Sequence, residues 1–431
     1  MIIRRMKAGT ADLEEFLRVP YSGLQKLETR VAYIAKEVKT RGDEAVYEFT
    51  RRFDRADIGP HNFRVDEREI IEAYKAVGEE YISALRAAIA NIRAFHRRQL
   101  HNSWMEPDET GNILGMIYRP LDRVGIYVPG GTAAYPSSVL MNAIPAQVAG
   151  VREIVMVTPP AADGRVNPYT LVAAAELGVK EIYKMGGAQA VFALAWGTET
   201  VPKVDKITGP GNIYVTLAKK MVYGDVDIDM LAGPSEILII ADDKAEPAYV
   251  AADLMSQAEH DVLARSMLVT DSEELVDEVE REIGRQLASL SRRDIIERSL
   301  QEQGAVIIVK DMREACEVAN RVAPEHLELM VEHPFEWLGY IKNAGAVFLG
   351  RYTPEPVGDY YAGPNHILPT GGTARFYSPV TVDTFLKKTS VLYYSETGLA
   401  KARQDIVTLA EIEGLTAHAN SVRIRREDTV E

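Results

Sequence analysis

Short apolar runs alternate with amphipathic segments along the middle of this chain. The runs predicted as strands and the segments predicted as helices after each of them are, in order, 124–128 and 137–149, 153–157 and 169–177, 181–185 and 188–196, and 204–208 and 213–222. A strand period that gives way to a helical period at such short spacing is typical of a parallel sheet covered by helices on both faces. The pattern therefore predicts an α/β fold for this part of the chain.

A second series of the same kind follows. Its predicted strands are 237–241, 266–270, 305–309 and 327–330, and its predicted helices are 246–259, 273–289 and 312–323. Amphipathic helices are predicted over 24–53 and 68–99, and a polar, helical segment is predicted after about 390. The chain thus predicts two parallel sheets with helical segments at both ends.

Glycine-rich segments follow three predicted strands of the first series, at 129–131, 186–187 and 209–211. Ligands of parallel sheets bind at the carboxyl ends of strands, where glycine lets the backbone approach and a helix N-terminus can receive phosphate. Tight strand-to-helix turns would need the same glycines, and the G-x-G-x-x-G fingerprint of dinucleotide sites is absent from the sequence. On these residues alone, a ligand site and simple turns stay equally open.

Composition narrows the class of protein. The chain has 431 residues and a formal net charge of −14, which argues against nucleic acid as a partner, because phosphate binding requires a basic surface. About one domain per 150 residues gives roughly three units. Cys316 is the single cysteine, so no intramolecular disulfide can form, and its helical surroundings indicate a small core residue rather than a nucleophile.

The expected location is the cytoplasm. The first seven residues carry charges and no long apolar run, unlike a signal peptide. No apolar stretch reaches the ~20 residues that span a bilayer, so no membrane partner is expected.

Four short polar stretches in the second half of the chain carry its chemistry: 256–261, 323–326, 358–366 and 413–420. They hold four of the eight histidines, namely His260, His326, His366 and His418, each near a carboxylate or an amide. Imidazole and carboxylate are both zinc ligands and acid–base groups. The remaining four, His61, His96, His101 and His333, are interpreted as surface residues.

Each stretch also has a plainer interpretation. Gln257 and His260 share one helical face, which suits metal ligands but is also common on solvated helices. Glu325 and His326 follow Pro324 and precede a predicted strand, so we expect them to point to opposite sides and to serve different steps. An isolated Glu-His pair is nevertheless often a solvent-exposed pair without a functional role.

The two later stretches lie outside predicted helices and strands. Asp359 and His366 lie in a loop rich in glycine, proline and tyrosine, a kind of loop that commonly carries function. Glu413 and His418 lie in a mildly polar segment that we expect to dock rather than to be free.

Taken together and in this order, these stretches resemble the histidinol dehydrogenase family over nearly the whole chain. The other matching segments are Arg-Val-Gly-Ile-Tyr-Val-Pro-Gly-Gly (123–131), Gly-Gly-Ala-Gln-Ala (186–190), Lys-Ile-Thr-Gly-Pro-Gly-Asn (206–212) and Asp-Met-Leu-Ala-Gly-Pro-Ser-Glu (229–236). The resemblance implies two successive NAD-dependent oxidations, from L-histidinol through L-histidinal to L-histidine, the last steps of histidine biosynthesis, with one zinc ion per subunit.

The resemblance also implies an architecture. It comprises two incomplete Rossmann-like domains, doubly wound around mostly parallel sheets, in an aldehyde-dehydrogenase-like arrangement with small helical N- and C-terminal domains. The implied parts are an N-terminal segment 1–22 packing with the C-terminal region, a catalytic domain 23–122 and 237–380, an NAD-binding domain 123–236, and a C-terminal dimerisation and active-site arm 381–431.

Residue roles follow by position from the same resemblance. Gln257, His260 and Asp359 are implied as zinc ligands, with His418 of a second subunit as the fourth, so that the partner is another copy in a homodimer. Ser235, His366 and Glu413 are implied to hold the substrate, together with His326 and the zinc ligands, and Glu413 is also expected from across the interface. Tyr127, Gln189 and Asn212 are implied to contact NAD, and Glu325 and His326 to be the acid–base pair.

The residues agree with this chemistry. A neutral imidazole such as His326 can take the hydroxyl proton of the alcohol near pH 7, and Glu325 can deprotonate the water that hydrates the aldehyde. Zinc can polarise the substrate oxygen or hold the substrate in place.

Three alternatives stay open: a related dehydrogenase for another small polar alcohol, a zinc hydrolase that uses Glu325 without NAD, and a non-catalytic binding protein. The first conflicts with the retained segments around Ser235 and Glu413. The second leaves segments 123–131 and 206–212 unexplained.

Overall fold

The computed structural model describes residues 3–17, 24–130 and 134–425, so residues 1–2 and 18–22 of the predicted N-terminal segment and Gly131 of the glycine-rich segment lie outside the described residues. The chain divides into two compact units. One comprises residues 1–99 and 121–385, and the other comprises 100–120 and 386–431. The four predicted domain bounds stay predictions.

Strands and helices alternate through most of the first unit, whereas β2, β3 and β14 belong to the second. In chain order the strands of both units are β1 Arg4–Lys7, β2 Trp104–Pro107, β3 Ile113–Pro120, β4 Arg123–Tyr127, β5 Glu153–Thr158, β6 Glu181–Lys184, β7 Lys206–Thr208, β8 Asp227–Ile228, β9 Glu236–Ala241, β10 Arg265–Thr270, β11 Ala305–Ile308, β12 His326–Met330, β13 Ala346–Leu349 and β14 Leu386–Tyr393.

The helices, in the same order, are α1 Ala11–Leu17, α2 Leu24–Arg41, α3 Asp43–Phe53, α4 Glu67–Ala76, α5 Glu79–Arg97, α6 Pro136–Ala149, α7 Pro168–Glu176, α8 Gly187–Trp196, α9 Ile213–Val222, α10 Pro247–Ala258, α11 Glu273–Leu287, α12 Arg293–Gln303, α13 Met312–Val322, α14 Pro334–Leu338, α15 Glu355–Val357, α16 Glu396–Ile412 and α17 Thr416–Arg423. A π turn spans Gly358–Ala362, and 3-10 turns span Thr373–Arg375 and Val382–Phe385.

The larger sheet has six parallel strands in the order β1-β11-β10-β9-β12-β13. Its central strand β9 is buried along its whole length. Ile237 and Ile239 pack into one apolar cluster, whereas Leu238 and Ile240 pack into another. Because side chains alternate between the faces of a strand, this division shows that helices cover both faces of the sheet.

The smaller parallel sheet has five strands in the order β6-β5-β4-β7-β8. Its order reverses at β4, with β5 on one side and β7 on the other. Such a switch point leaves a crevice at the carboxyl ends of the strands, where ligands of α/β sheets bind. The predicted α/β class with mostly parallel sheets is confirmed.

The second unit contains an antiparallel sheet, β14-β3-β2, followed by α16 and α17. The hydrophobic pattern of the sequence does not predict this sheet. Its strands are largely exposed, with every residue of β2 at the surface, so they show neither an apolar run nor a clear alternation.

Two predicted long helices are each divided in the structure. The segment 24–53 is interrupted at Gly42, whose φ of 54° lies in the left-handed region, and the Asp43 N–H there bonds to the Glu199 carboxylate at 2.8 Å. The segment 68–99 is interrupted at Val77 and Gly78, both extended.

Cys316 is buried as expected, whereas the surface interpretation of His96 is wrong, because its side chain is fully buried. Among the described residues, no helix combines the length and apolarity needed to cross a bilayer.

Candidate active site

A polar cluster lies at the amino edge of the six-stranded sheet, meaning the side where its strands begin. Glu236 begins β9 and His326 begins the neighbouring β12, and His326 is paired in register with Ile237. The crossover helix α10 runs from the far end of β9 back towards the start of β10, so it ends at this same edge. Its last turn carries Gln257, and His260 follows it.

His326 is almost fully buried in this cluster. Its Nδ1 lies 3.1 Å from the Glu236 carbonyl oxygen and 3.1 Å from Gln257 Oε1. Both partners are acceptors, so this pattern assigns the ring proton to Nδ1 and leaves Nε2 as the free acceptor. Nε2 has no hydrogen-bond partner among the described residues and lies 3.8 Å from Glu355 Oε1 and 3.9 Å from Asp359 Oδ1.

The electrostatics keep this imidazole neutral. Burial, helped by the nearby imidazoles of His260 and His366 and opposed by a hydrogen bond to Glu236, lowers the pKa of His326 to about 3. At neutral pH the ring therefore presents an unprotonated Nε2. It can accept a proton or bind a metal ion.

Glu325 is buried beside it. One carboxylate oxygen accepts the Glu236 N–H at 2.9 Å and lies 3.8 Å from His326 Nδ1. The two side chains therefore reach one cluster rather than pointing apart, and Glu325 directly precedes the first paired residue of β12. Burial raises the pKa of Glu325 well above its ordinary value, which makes its carboxylate a stronger base.

Asp359 reaches the cluster from the π turn, a distortion that is frequent at functional sites. Burial raises the pKa of Asp359 to about 7. His366 lies close by, with its Nδ1 3.2 Å from the Asp359 carbonyl oxygen, and burial lowers the pKa of His366 to about 4. Helix α5 supports the turn, because Asn91 Nδ2 donates to the Tyr361 carbonyl at 3.0 Å.

Further buried carboxylates, which were not selected from the sequence, adjoin the cluster. Glu355 lies with His326 and Asp359 in a group whose ligand atoms are all within 4.8 Å of one another. Its backbone N–H donates to Glu328 Oε1 at 2.9 Å, and Glu328 in turn neighbours Asp253 of α10. A glutamate inside an apolar strand, as in His-Leu-Glu-Leu-Met, was the available signal for Glu328; Glu355 gave none, because it stands in a proline-rich loop.

A separate cavity of about 1140 Å³ lies at the carboxyl edge of the five-stranded sheet, and its lining includes Tyr127, Gln189 and Asn212. The buried Tyr127 hydroxyl accepts the Gly187 N–H at 3.0 Å, and burial raises the pKa of Tyr127 to about 12. Gln189 is fully buried in the first turn of α8, and neither polar atom of its side chain has a hydrogen-bond partner among the described residues. Asn212 caps α9.

The cavity extends towards the polar cluster. Tyr135 lines the cavity and is near enough to Tyr360 to contribute to the raised pKa of the Tyr360 hydroxyl. Burial raises the pKa of Tyr360, and the neighbouring Asp359 carboxylate and, less strongly, Tyr135 raise it further. One residue of the cavity lining, Tyr135, therefore lies within electrostatic range of Tyr360, which follows Asp359 in the sequence.

The remaining predicted residues are divided between the units. Ser235 is half-buried directly before β9, where its carbonyl accepts the Arg265 N–H at 3.0 Å. Glu413 and His418 belong to the second unit, at the end of α16 and within α17, and both are exposed there.

Known proteins with similar sequences agree with one another. Residues 18–426 match the family model described as histidinol dehydrogenase. The chain is 60% identical over 426 residues to "Histidinol dehydrogenase" of Heliobacterium mobile, covering 99% of this chain and 100% of that one. It is 54% identical over 404 residues to the protein of the same name from Bacillus subtilis, covering 94% of each.

Solved structures extend the comparison. The crystal structure of histidinol dehydrogenase from Elizabethkingia anophelis has a TM-score of 0.94 at 38% identity, covering 98% of both chains. An acetylating aldehyde dehydrogenase from Geobacillus thermoglucosidasius has a TM-score of 0.50 at 16% identity, covering 89% of this chain and 96% of that one. The latter likeness concerns the fold alone and agrees with the expected aldehyde-dehydrogenase-like arrangement. From the family match and these identities, the chain belongs to the histidinol dehydrogenase family.

Proposed function

We propose that this protein is an L-histidinol dehydrogenase, which oxidises L-histidinol through L-histidinal to L-histidine in two successive NAD-dependent steps. The observation that carries the proposal is the buried pair of Glu325 and His326, which lies beside nitrogen and oxygen donors in the same unit as the cavity of Tyr127, Gln189 and Asn212. Family membership supports the substrate, since the relatives carry that name.

In the first oxidation, the substrate hydroxyl must lose a proton as its carbon loses a hydride. His326 Nε2 is the free acceptor for that proton, because Nδ1 is held by Glu236 and Gln257. In the second, the aldehyde must first add water, and Glu325 deprotonates that water. The raised pKa of Glu325 favours this role, since a stronger base takes the proton more readily. The buried surroundings also keep the aldehyde between the two oxidations.

The residues fit the zinc ion that the family implies. Gln257, His260 and Asp359 offer nitrogen and oxygen donors of the kinds zinc binds. The C-terminal end of α10, where Gln257 and His260 lie, carries the negative end of the helix dipole and favours a cation. Glu355 Oε2 is also buried without a hydrogen-bond partner among the described residues. When bound, zinc would hold the substrate or polarise its oxygen.

The cavity fits NAD, which would accept the hydride. The two unpaired side-chain atoms of Gln189 indicate a polar ligand at the start of α8, because buried amide groups normally have partners. Together with Tyr127 and Asn212, Gln189 is proposed to contact the dinucleotide. Ser235 and His366 are proposed to hold the amino alcohol.

The proposed partner is a second copy of the chain, which would supply Glu413 and His418. Exposed apolar side chains lie just before Glu413 at the end of α16: Ile412 is 78% exposed and Leu409 is 65% exposed. Apolar surface beside this polar residue supports burial of the segment against another chain. A cytoplasmic location stays a prediction.

Counting NADH per histidinol consumed tests the proposal. Two NADH are expected for each histidinol converted to histidine, and a chelator should abolish turnover until zinc is restored. One NADH with accumulating aldehyde, or turnover without NAD as a zinc hydrolase would show, would refute it. Comparable rates with simple diols would instead favour a dehydrogenase for another polar alcohol.

A further inference from the structure

The helix N-termini at the large cavity are already engaged by protein side chains. At the start of α8, the Gly187 N–H donates to the Tyr127 hydroxyl and the Gly186 N–H bonds to the Asp54 carboxylate. At the start of α9, the Asn212 side chain accepts the N–H groups of Tyr214 and Val215 at 3.0 and 3.3 Å. Parallel sheets usually bind phosphate through such N–H groups. Here most of these N–H groups already bond to protein side chains, and Asp54 adds a carboxylate beside the start of α8.

Positive charge in the cavity comes from another part of the fold. Among the described residues that line it, Arg30 and Arg52 are the cationic side chains. They belong to α2 and α3, which precede the segment 123–236 implied to bind NAD. Both are exposed, and no ion pair of either is found in the described chain, so their guanidinium groups are available to a ligand.

Aromatic rings accompany the two arginines on the same wall. Tyr33 and Phe53 line the cavity with about half of their surfaces exposed, and both contact the ring of the buried Phe49. The Arg52 guanidinium lies 5.6 Å from the Phe53 ring centroid. The wall therefore presents fixed flat apolar surfaces next to positive charge, which suits a purine base carried on a phosphate.

We infer that Arg30 and Arg52 bind the diphosphate of the dinucleotide, so that α2 and α3 supply the charged wall of the NAD site. The diphosphate of NAD carries two negative charges, and the arginine fork binds phosphate oxygens in pairs. The inference rests on the proposed NAD-dependent function and extends it to residues outside the glycine-rich segments.

The test compares Arg30→Gln, Arg52→Gln and the double variant with Lys26→Gln as a charge-matched control, since Lys26 is exposed on α2 and does not line the cavity. A charge-assisted hydrogen bond to phosphate corresponds to roughly a tenfold change in affinity or more. The KM for NAD should therefore rise about tenfold in each single variant and further in the double variant. The kcat at saturating NAD and the KM for histidinol should stay near the wild-type values. A double variant with the KM for NAD of Lys26→Gln would overturn the inference.

A binding measurement separates this inference from the proposed function. Calorimetric titration with ADP-ribose, which retains the diphosphate but cannot accept a hydride, needs no turnover. Loss of binding in the double variant, with partial recovery in Arg52→Lys, supports the arginine assignment even if histidinol is not the substrate. Undiminished ADP-ribose binding by a folded double variant refutes the assignment and leaves the proposed reaction untouched.

Discussion

Removal of one member of the buried pair Lys219 and Asp229 should destabilise the protein more than removal of both. The Lys219 ammonium contacts the Asp229 carboxylate, and only 3% and 1% of the two side chains is exposed. Lys219 Nζ also donates to the Gly209 carbonyl at 3.0 Å, and Asp229 Oδ2 accepts the Gly209 N–H at 2.7 Å. The pair therefore holds both polar backbone groups of one glycine.

The backbone at Gly209 packs tightly against the backbone of Tyr127. Gly209 has a φ of 116°, and a Cβ at this position would lie 2.1 Å from the Tyr127 carbonyl oxygen. It begins the loop that leads to Asn212. Displacement of Gly209 should therefore shift Asn212 and raise the KM for NAD.

The magnitude follows from the burial. Asp229→Ala leaves an unpaired buried ammonium, which costs about 3–5 kcal/mol, whereas replacing both charges with apolar residues avoids that penalty. The double variant Lys219→Met/Asp229→Leu still leaves backbone N–H groups without their acceptor, at about 1–3 kcal/mol. At roughly 2 °C per kcal/mol, the single variant should melt about 6–10 °C below wild type, and the double variant should lie between them.

The assay is thermal unfolding followed by calorimetry, together with the KM for NAD of each variant. Because a chain of this size need not unfold in one step, the transition of the first unit is the one to compare. A double variant that melts below Asp229→Ala would refute the buried-charge argument. An unchanged KM for NAD in Asp229→Ala would refute the link to the loop.

Three further outcomes are expected. Glu325→Gln should slow the oxidation of histidinal about a hundredfold or more and the oxidation of histidinol less, a typical loss for a removed general base; equal loss in both half-reactions would contradict the assignment. His418→Ala should lower the affinity for zinc at least tenfold by elemental analysis after dialysis, with His333→Ala unchanged, and equal zinc retention would exclude His418 as a ligand. Burial raises the pKa of Asp54 from 3.8 to about 6, so ionisation disfavours the folded state as the pH rises from about 4 to above 6. The difference in melting temperature between Asp54→Asn and wild type should accordingly increase over that pH range. A difference that does not change with pH would show that ionisation of Asp54 does not destabilise the folded state.

The alternation of strands and helices was predictable because the inner strands of the parallel sheets, such as β9 and β12, are buried on both faces. β9 was expected over 237–241 and spans 236–241, and α9 spans the predicted 213–222. The antiparallel sheet of β2, β3 and β14 was not predictable in this way, since its side chains are mostly exposed and its pairing joins residues about 270 positions apart. Local periodicity carries no information about such a pairing.

The candidate site was only partly predictable for the same reason. His260, His326 and Asp359 could be selected by type and neighbours. Glu355, however, becomes relevant only because the fold brings it 3.8 Å from His326, and its local sequence gives no sign of this. A buried carboxylate is therefore identified by its surroundings, and those surroundings are set by tertiary structure.

The two sheets carry their candidate site residues at opposite edges, and under the proposed function this arrangement would let one site combine hydride transfer with proton transfer. The five-stranded sheet follows the usual rule, with its cavity at the carboxyl ends of β4 and β7. The six-stranded sheet does not follow it, because Glu325 and His326 lie where β12 begins and α10 ends. Tyr135 in the cavity lining lies within electrostatic range of Tyr360, which follows Asp359 in the sequence. A hydride acceptor held by one sheet would then meet proton acceptors held by the other, and each group is positioned by rigid strands rather than by a shared loop.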